Sequence, residues 1–288
     1  MDKPHAPASA SAAGAQPALE GAAEKQLRLF AALQPLGSLL VAFSGGADSA
    51  YLAWAAATVL AERALAVTAL SPSFSAHDRQ QAEAFVRHTR IRHEFIETHE
   101  FENPLYVANN PDRCYWCKDE LFERLGELAA SRNFSAVAYG INADDTRDFR
   151  PGHRAAAEHR VLAPLLDAGL TKADIRELSR RVGLPTWDRP ASACLSSRLP
   201  YGTPATAENV SRVERGEAIL RDLGFRQFRV RLHDHLARIE IAPDELPRAL
   251  DSAMAAVIAE RFKQAGFLFV ALDLEGYRQG SLNAALKA

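Results

Sequence analysis

Residues 41–56 read VAFSGGADSAYLAWAA: an apolar run ending in a serine and two glycines, then an aspartate, then an alanine-rich stretch with helical patterning. A short apolar run followed at once by glycines and a helix pattern is a strand, a turn and a helix. In an open parallel sheet such a turn lies beyond the carboxyl end of its strand, where ligands bind. Gly45 and Gly46 permit positive φ and let backbone N–H groups approach an anion closely, and a helix beginning near Asp48 adds its positive dipole end. The turn therefore reads as a phosphate cradle. It lacks the spacing and the lysine of a Walker A loop, and it is not the G-x-G-x-x-G dinucleotide fingerprint. On these residues alone a plainer reading stands beside it, a tight strand-to-helix turn with Asp48 as cap.

The same rhythm continues downstream. An amphipathic helix over residues 24–36 precedes a strand over 38–43. Further strands are expected over 64–70, 92–97 and 135–139, with helices beginning near His77, under a Ser75 cap, and around 118–131. Strands alternating with helices predict α/β architecture, a doubly wound, mostly parallel sheet. Thr171 opens a further helix that Gly183 and Pro185 close. After the irregular stretch TWDRPASACLSSRLPYGTP the pattern changes to a helix from about 205 to 223, a hairpin turning near Asp234, a helix from about Asp244 and a last strand in FLFVALDL. That predicts a smaller C-terminal α+β domain. The expected organisation is a flexible tail over 1–22, a nucleotide domain over 23–200 and a substrate-binding or oligomerisation domain over 201–288.

Hydrophobic residues make up 48% of the 288 and charged residues 24%, an ordinary globular balance with no run fit to span a bilayer. The tail has no continuous apolar segment of the signal-peptide kind, which makes a cytoplasmic protein the expectation. A formal charge of −2 recruits no polyanion, so neither a nucleic acid nor a membrane is an expected partner. Three cysteines are too few for a disulfide framework.

Two of them, Cys114 and Cys117, form a C-x-x-C pair at the start of a helix, and Cys194 follows in PASACLSSRLPYG. A closed zinc site needs a fourth ligand such as His93, His99 or His153. A thioredoxin-like dithiol uses the pair and ignores Cys194, and inert thiols explain neither spacing nor surroundings. Three thiolates on a 4Fe-4S cluster leave one iron open to sulfide or substrate. These readings remain open at this level. Arg229 and Arg231 fall on one face of a strand and suit a phosphate by their donor forks, an exposed basic strand face being the alternative. His233 and His235 near the hairpin turn are expected to face solvent.

SGGADS after an apolar strand resembles the PP-loop of N-type ATP pyrophosphatases, in which Ser44, Gly45, Gly46, Asp48 and Ser49 match the motif. The resemblance implies that this loop grips the pyrophosphate part of ATP, with Asp48 near Mg2+. The strings RCYWCKDELF, YGINADD, RPG, LTKADIRELSRRVGLP, ACLSSRLPYG, RVRLHDHLARIEI and DLEGYRQGSLN extend the likeness, so that the chain from about residue 24 to 283 resembles the LarE-type sulfur transferases of nickel-pincer nucleotide cofactor biosynthesis.

That resemblance implies adenylation of the carboxylates of pyridinium-3,5-biscarboxylic acid mononucleotide and displacement of AMP by sulfur. It implies a 4Fe-4S cluster on Cys114, Cys117 and Cys194 carrying an extra sulfide, with sulfide or a sulfur donor protein as partner and sacrifice of Cys194 as the other sulfur source. Ser197, Arg198, Glu217, Arg229 and Arg231 are implied at the mononucleotide and Lys172 at the ATP phosphates. Asp144 and Asp145 are implied at magnesium or ribose, and the assembly is a homo-oligomer of hexameric type. Plainer roles stand beside several of these: a surface glutamate for Glu217, a loop cap for the two aspartates, a helix-start lysine for Lys172. Competing functions are a PP-loop tRNA thiolase, an ammonia-dependent amidating ligase, and a non-catalytic adenine-nucleotide sensor or iron-sulfur carrier.

Overall fold

The structure is a computed structural model and describes residues 21–147, 151–190, 193–278 and 281–282. All but the last two residues of the expected tail lie outside these, and Ala22 already begins the first helix. The chain runs α1 (Ala22–Leu33), β1 (Leu39–Ala42), α2 (Ala47–Leu60), β2 (Ala64–Leu70), α3 (Ala76–Thr89) and β3 (His93–Glu97). It continues through α4 (Pro104–Val107), α5 (Arg113–Ser131), β4 (Ala136–Tyr139), α6 (Pro151–Glu158), α7 (Pro164–Asp167) and α8 (Lys172–Arg181). The C-terminal part is α9 (Ala207–Asp222), β5 (Phe228–His233), β6 (Leu236–Ile241), α10 (Leu246–Leu250), α11 (Ser252–Gln264) and β7 (Phe269–Leu272).

Strands β1 to β4 form an all-parallel sheet in the order β3-β2-β1-β4. Strand residues alternate between two faces. Leu39 and Val41 join a core under α1, α2 and α8 with Leu29, Leu33, Tyr51, Leu52, Ile175 and Leu178. Leu40, Leu65 and Val67 meet Leu121, Phe122 and Leu125 of α5 and Ala155 and Ala156 of α6 on the other face. The sheet is thus wound on both faces. From β1 the chain steps outward to β2 and β3, then crosses back to place β4 on the opposite side of β1. That reversal puts the crevice between β1 and β4, at their carboxyl ends, where an open sheet binds ligands.

A three-stranded sheet, β5-β6-β7, follows, with β5 and β6 antiparallel and β6 and β7 parallel. Asp234 makes the hairpin turn at φ 51°, a left-handed value that aspartate tolerates better than most residues. Val230, Leu232, Ile239 and Ile241 pack against α9 and α11 in a second core, which also takes in Tyr106, Leu195 and Leu199. The helix expected from about Asp244 is two helices. Asp251 leaves helical geometry and its carboxylate caps α11 through Ala253 N and Met254 N, both at 3.0 Å. Short α4 and α7, invisible to periodicity, each start on a proline at a helix-opening position. Among the described residues no helix is long and apolar enough to cross a membrane.

Candidate functional site

The loop Ser44–Ser49 leaves β1 at the crevice. Gly45 takes φ 75°, while Gly46 is extended at φ −72° and stands as the N-cap of α2, so the left-handed freedom foreseen for both glycines is used by one. Two hydroxyls fix the turn. Ser49 Oγ donates to Gly46 O at 3.1 Å, accepts from Ser44 N at 3.2 Å and pairs with Ser44 Oγ at 3.1 Å. Gly140, just past β4, presses on the same turn. A Cβ there would sit 2.7 Å from Ser49 N and 2.8 Å from Ser49 Cα. The helix start that offers unpaired N–H groups is therefore wedged between two strand ends.

Charge is arranged around this turn. Thr171 and Asp174 form a capping box that starts α8 and sets Lys172 at its first position. Lys172 Nζ lies 3.3 Å from Asp48 Oδ2, and its backbone N donates to Asp144 Oδ2 at 2.8 Å. Burial pushes the Asp48 carboxyl above its ordinary range, Asp145 adds to that, and Lys172 pulls against it. Asp48 Oδ1 and Asn142 Nδ2 are buried without a hydrogen-bond partner. Nature seldom leaves such atoms unmatched unless something else meets them. From the other side Arg189, which sequence patterning does not single out, donates Nη1 to Gly45 O at 2.7 Å and Nη2 to Asp78 Oδ1 at 2.8 Å.

The cysteines form the second element. Helix α5 begins at Arg113, so Cys114 and Cys117 lie in its first turns, and Cys194 immediately precedes a short 3-10 turn over Leu195–Arg198. All three are free thiols; Cys114 and Cys194 are exposed and Cys117 is partly buried. Desolvation pushes the Cys117 thiol up to about 12, with Lys118 opposing and Glu100, Cys194 and Cys114 adding. The three sulfurs thus share one electrostatic neighbourhood. Glu100 there is 3% exposed, with Oε2 unpartnered. Among the described residues no three His, Cys, Asp or Glu side chains are gathered closely enough to hold a metal ion. His93 is occupied by Thr68 Oγ1 at 2.9 Å, and His99 faces Glu102 at 3.4 Å, while His153 stands on α6 with its ring 6.4 Å from that of Tyr139.

The arginines are more committed than strand alternation conveys. Arg198 is 2% exposed and pairs with Glu217 through Nε at 2.8 Å and Nη2 at 3.2 Å. Its Nη1 donates to the carbonyls of Ala193 and Cys194 and to Ser197 Oγ. Burial alone would raise the Glu217 carboxyl, but Arg198, helped by Arg229 and Val230 N–H, holds it below the usual carboxylate range. Arg231 pairs with fully buried Glu240 at 2.8 Å and donates to Ser197 O at 3.0 Å. Arg229 shares its face, stacks over Tyr277 at 5.1 Å and donates to Phe228 O at 2.7 Å. His235 is exposed as expected. His233 is not fully solvent-facing: it is half-buried, its Nε2 enclosed without a partner, and burial lowers its pKa.

Over 265 residues the chain is 34% identical to the pyridinium-3,5-bisthiocarboxylic acid mononucleotide synthase of Lactiplantibacillus plantarum, covering 92% of this chain and 95% of that protein. The chain belongs to the LarE family. It is also 43% identical to an uncharacterized protein of Synechocystis sp., over 87% of this chain and 94% of that one. A third relative, an uncharacterized protein of Methanocaldococcus jannaschii, is 29% identical over 83% of this chain and 90% of its own length. No family model matches.

In this LarE chain the residues singled out from sequence fall into three groups. Ser44, Gly45, Gly46, Asp48, Ser49 and Lys172 surround one turn, with Asp144 and Asp145 in the loop after β4. Cys194, Ser197, Arg198, Glu217, Arg229 and Arg231 lie where the 3-10 turn meets α9 and β5. Cys114 and Cys117 stand on α5 beside them. Residues that sequence reasoning passed over support these groups: Arg189 and Asn142 at the turn, Glu240 beside Arg231, and Arg113 with Asn109 between the cysteines. Only Asn142 had a local signal, in the polar run NADD, where Asn142 Oδ1 accepts from Asp144 N at 2.9 Å as Asx turns do.

Proposed function

We propose that the chain is an ATP-dependent sulfur transferase acting on pyridinium-3,5-biscarboxylic acid mononucleotide in nickel-pincer cofactor biosynthesis. The observation that carries this reading is a phosphate-type turn at the switch point of a parallel sheet, on the same chain as three free thiols in one electrostatic neighbourhood. The relative from L. plantarum, by its name, makes a bisthiocarboxylic acid mononucleotide, and such a product needs oxygen replaced by sulfur.

Hydroxide is a poor leaving group, so a carboxylate must first be activated. A substrate carboxylate oxygen attacks the α-phosphorus of ATP, the bond to the β-phosphate oxygen breaks, and pyrophosphate leaves. Backbone N–H groups of Gly45 to Ser49 and the positive end of α2 hold that pyrophosphate. Lys172 adds a cation that Asp48 keeps in place. The unpartnered Asp48 Oδ1 fits a divalent cation such as Mg2+, whose chemistry is charge neutralisation on the phosphates. A sulfur nucleophile then attacks the acyl carbon, and AMP departs with the original oxygen. Two rounds convert both carboxylates.

A 4Fe-4S cluster on Cys114, Cys117 and Cys194 would supply an open iron for sulfide; the three thiols are free, and holding the cluster requires them to draw closer than they stand among the described residues. A second reading is that Cys194, a free and exposed thiol like Cys114, gives up its own sulfur. Its thiolate displaces AMP to form a thioester, loss of the Cα proton breaks the Cβ–S bond, and a thiocarboxylate and dehydroalanine result. Anaerobic turnover with ATP, substrate and sulfide tests both. The cluster reading expects thiocarboxylate and pyrophosphate over many turnovers, lost in Cys117→Ala. Loss of the elements of hydrogen sulfide from Cys194 after one turnover marks sacrifice instead. Pyrophosphate release dependent on ammonia would replace the proposal with an amidating ligase, and no release with any substrate would leave a nucleotide sensor.

A further inference from the structure

We propose that Arg113, with Asn109 behind it, is the positioning residue that sets Cys194 against Cys114 and Cys117; the inference rests on the sulfur-transfer reading above. Arg113 precedes the first cysteine and is 6% exposed. Enclosing a guanidinium is costly unless its donors are matched. Here Nη1 donates to Ser196 O at 2.8 Å and to Asn109 Oδ1, while Nη2 lies 4.0 Å from Cys114 Sγ. One planar fork thus touches the C-x-x-C helix and the turn that follows Cys194. A lysine, a point charge on a single nitrogen, has no such divided reach.

Asn109 extends the clasp. It is fully buried in the left-handed region at φ 52°, and its Nδ2 donates to Pro200 O at 2.8 Å and Thr203 O at 2.7 Å. Gly202 N returns to Asn109 O at 3.1 Å and Ala205 N to Val107 O at 2.8 Å. Tyr106 OH pairs with Ser196 Oγ at 2.7 Å. Every one of these bonds joins residues 106–113 to residues 196–205. The loop that carries the third thiol hangs from the segment that leads into the first two.

The test uses the full, metal-free, reduced chain with no nucleotide or substrate. A short bifunctional maleimide is added and the cross-linked peptides are mapped by mass spectrometry. Arg113→Gln and Asn109→Ala are each expected to slow cross-linking of Cys194 to the pair at least tenfold. Cross-linking of Cys114 to Cys117, within one helix, is expected to stay at the wild-type rate. Far-UV circular dichroism restricts the comparison to folded protein, and Asn109→Ala probes the clasp with the charge intact should Arg113→Gln fail to fold. Unchanged Cys194 cross-linking in the folded variants overturns the proposal, as does an equal fall for the Cys114–Cys117 pair. Because no sulfur is transferred in the assay, the clasp stands or falls separately from the enzymatic reading.

Discussion

The phosphate turn and the thiol site are built in opposite ways. The turn is closed locally by six consecutive residues, with two hydroxyls five positions apart bonding to each other and to the loop backbone. The thiol site is assembled from distant pieces, its third cysteine brought to the other two by buried polar side chains. The backbone of the turn is closed by residues adjacent in sequence, and Gly140, Lys172 and Arg189 add to it from afar. A tethered site depends on groups that carry no chemistry themselves, and each tether is a buried polar contact whose loss leaves a partner unmatched.

The largest effect is therefore expected at the tethered site. Glu217→Gln leaves Arg198 buried with its charge unpaired, at a cost of about 3–5 kcal/mol, read by urea denaturation. The pH dependence follows from the same pair. The folded-state pKa of Glu217 lies below its unfolded value, so its contribution is present above about pH 4.3 and is lost as pH falls through the lower folded value. Wild type is expected to lose stability over that acid window more steeply than Glu217→Gln; parallel curves would sever the pair from stability.

At the turn, Gly140→Ala forces a methyl into Ser49 backbone and is expected to cost about 1–3 kcal/mol by the usual penalty of overpacking. Pyrophosphate release should fall more than tenfold, while cross-linking of the three thiols is unaffected. A change in both would show the two regions to be one. Thr171→Ala removes the cap that places Lys172 and is expected to cost about 1 kcal/mol, with a raised KM for ATP. Smallest is Arg124→Gln, which breaks a solvent-screened pair with Glu120 on the cysteine helix and should leave the urea midpoint unchanged.

What the sequence made legible follows the same division. Ser44 to Ser49, the Ser75 and Thr171 caps and the alternating strands of the parallel sheet are short-range patterns, and each is present at or within a residue or two of its expected place. Alternation also put Arg229 and Arg231 on one face. It had no means of showing that Arg231 meets Glu240 or Arg198 meets Glu217, since those pairings are set by how α9 and the hairpin pack. Arg189 sits in an irregular stretch with no periodicity to mark it, yet it reaches Gly45 across the molecule. The break at Asp251 was hidden because aspartate and serine inside an apolar pattern read as solvent-facing helix residues until their cap is seen.

Helix α5 has two neighbours with different fates. Its Leu121, Phe122 and Leu125 lie under the parallel sheet, and Trp116 and Cys117 pack against the core that holds the C-terminal sheet. Opening of the C-terminal sheet therefore uncovers Cys117, the one of the three thiols that is partly buried. By linkage, any group that binds those thiols only when they are in place stabilises that sheet by mass action, in proportion to the logarithm of its concentration over its dissociation constant. Occupancy of the sulfur site and the folding of the second half of the chain are in that case coupled through Cys117.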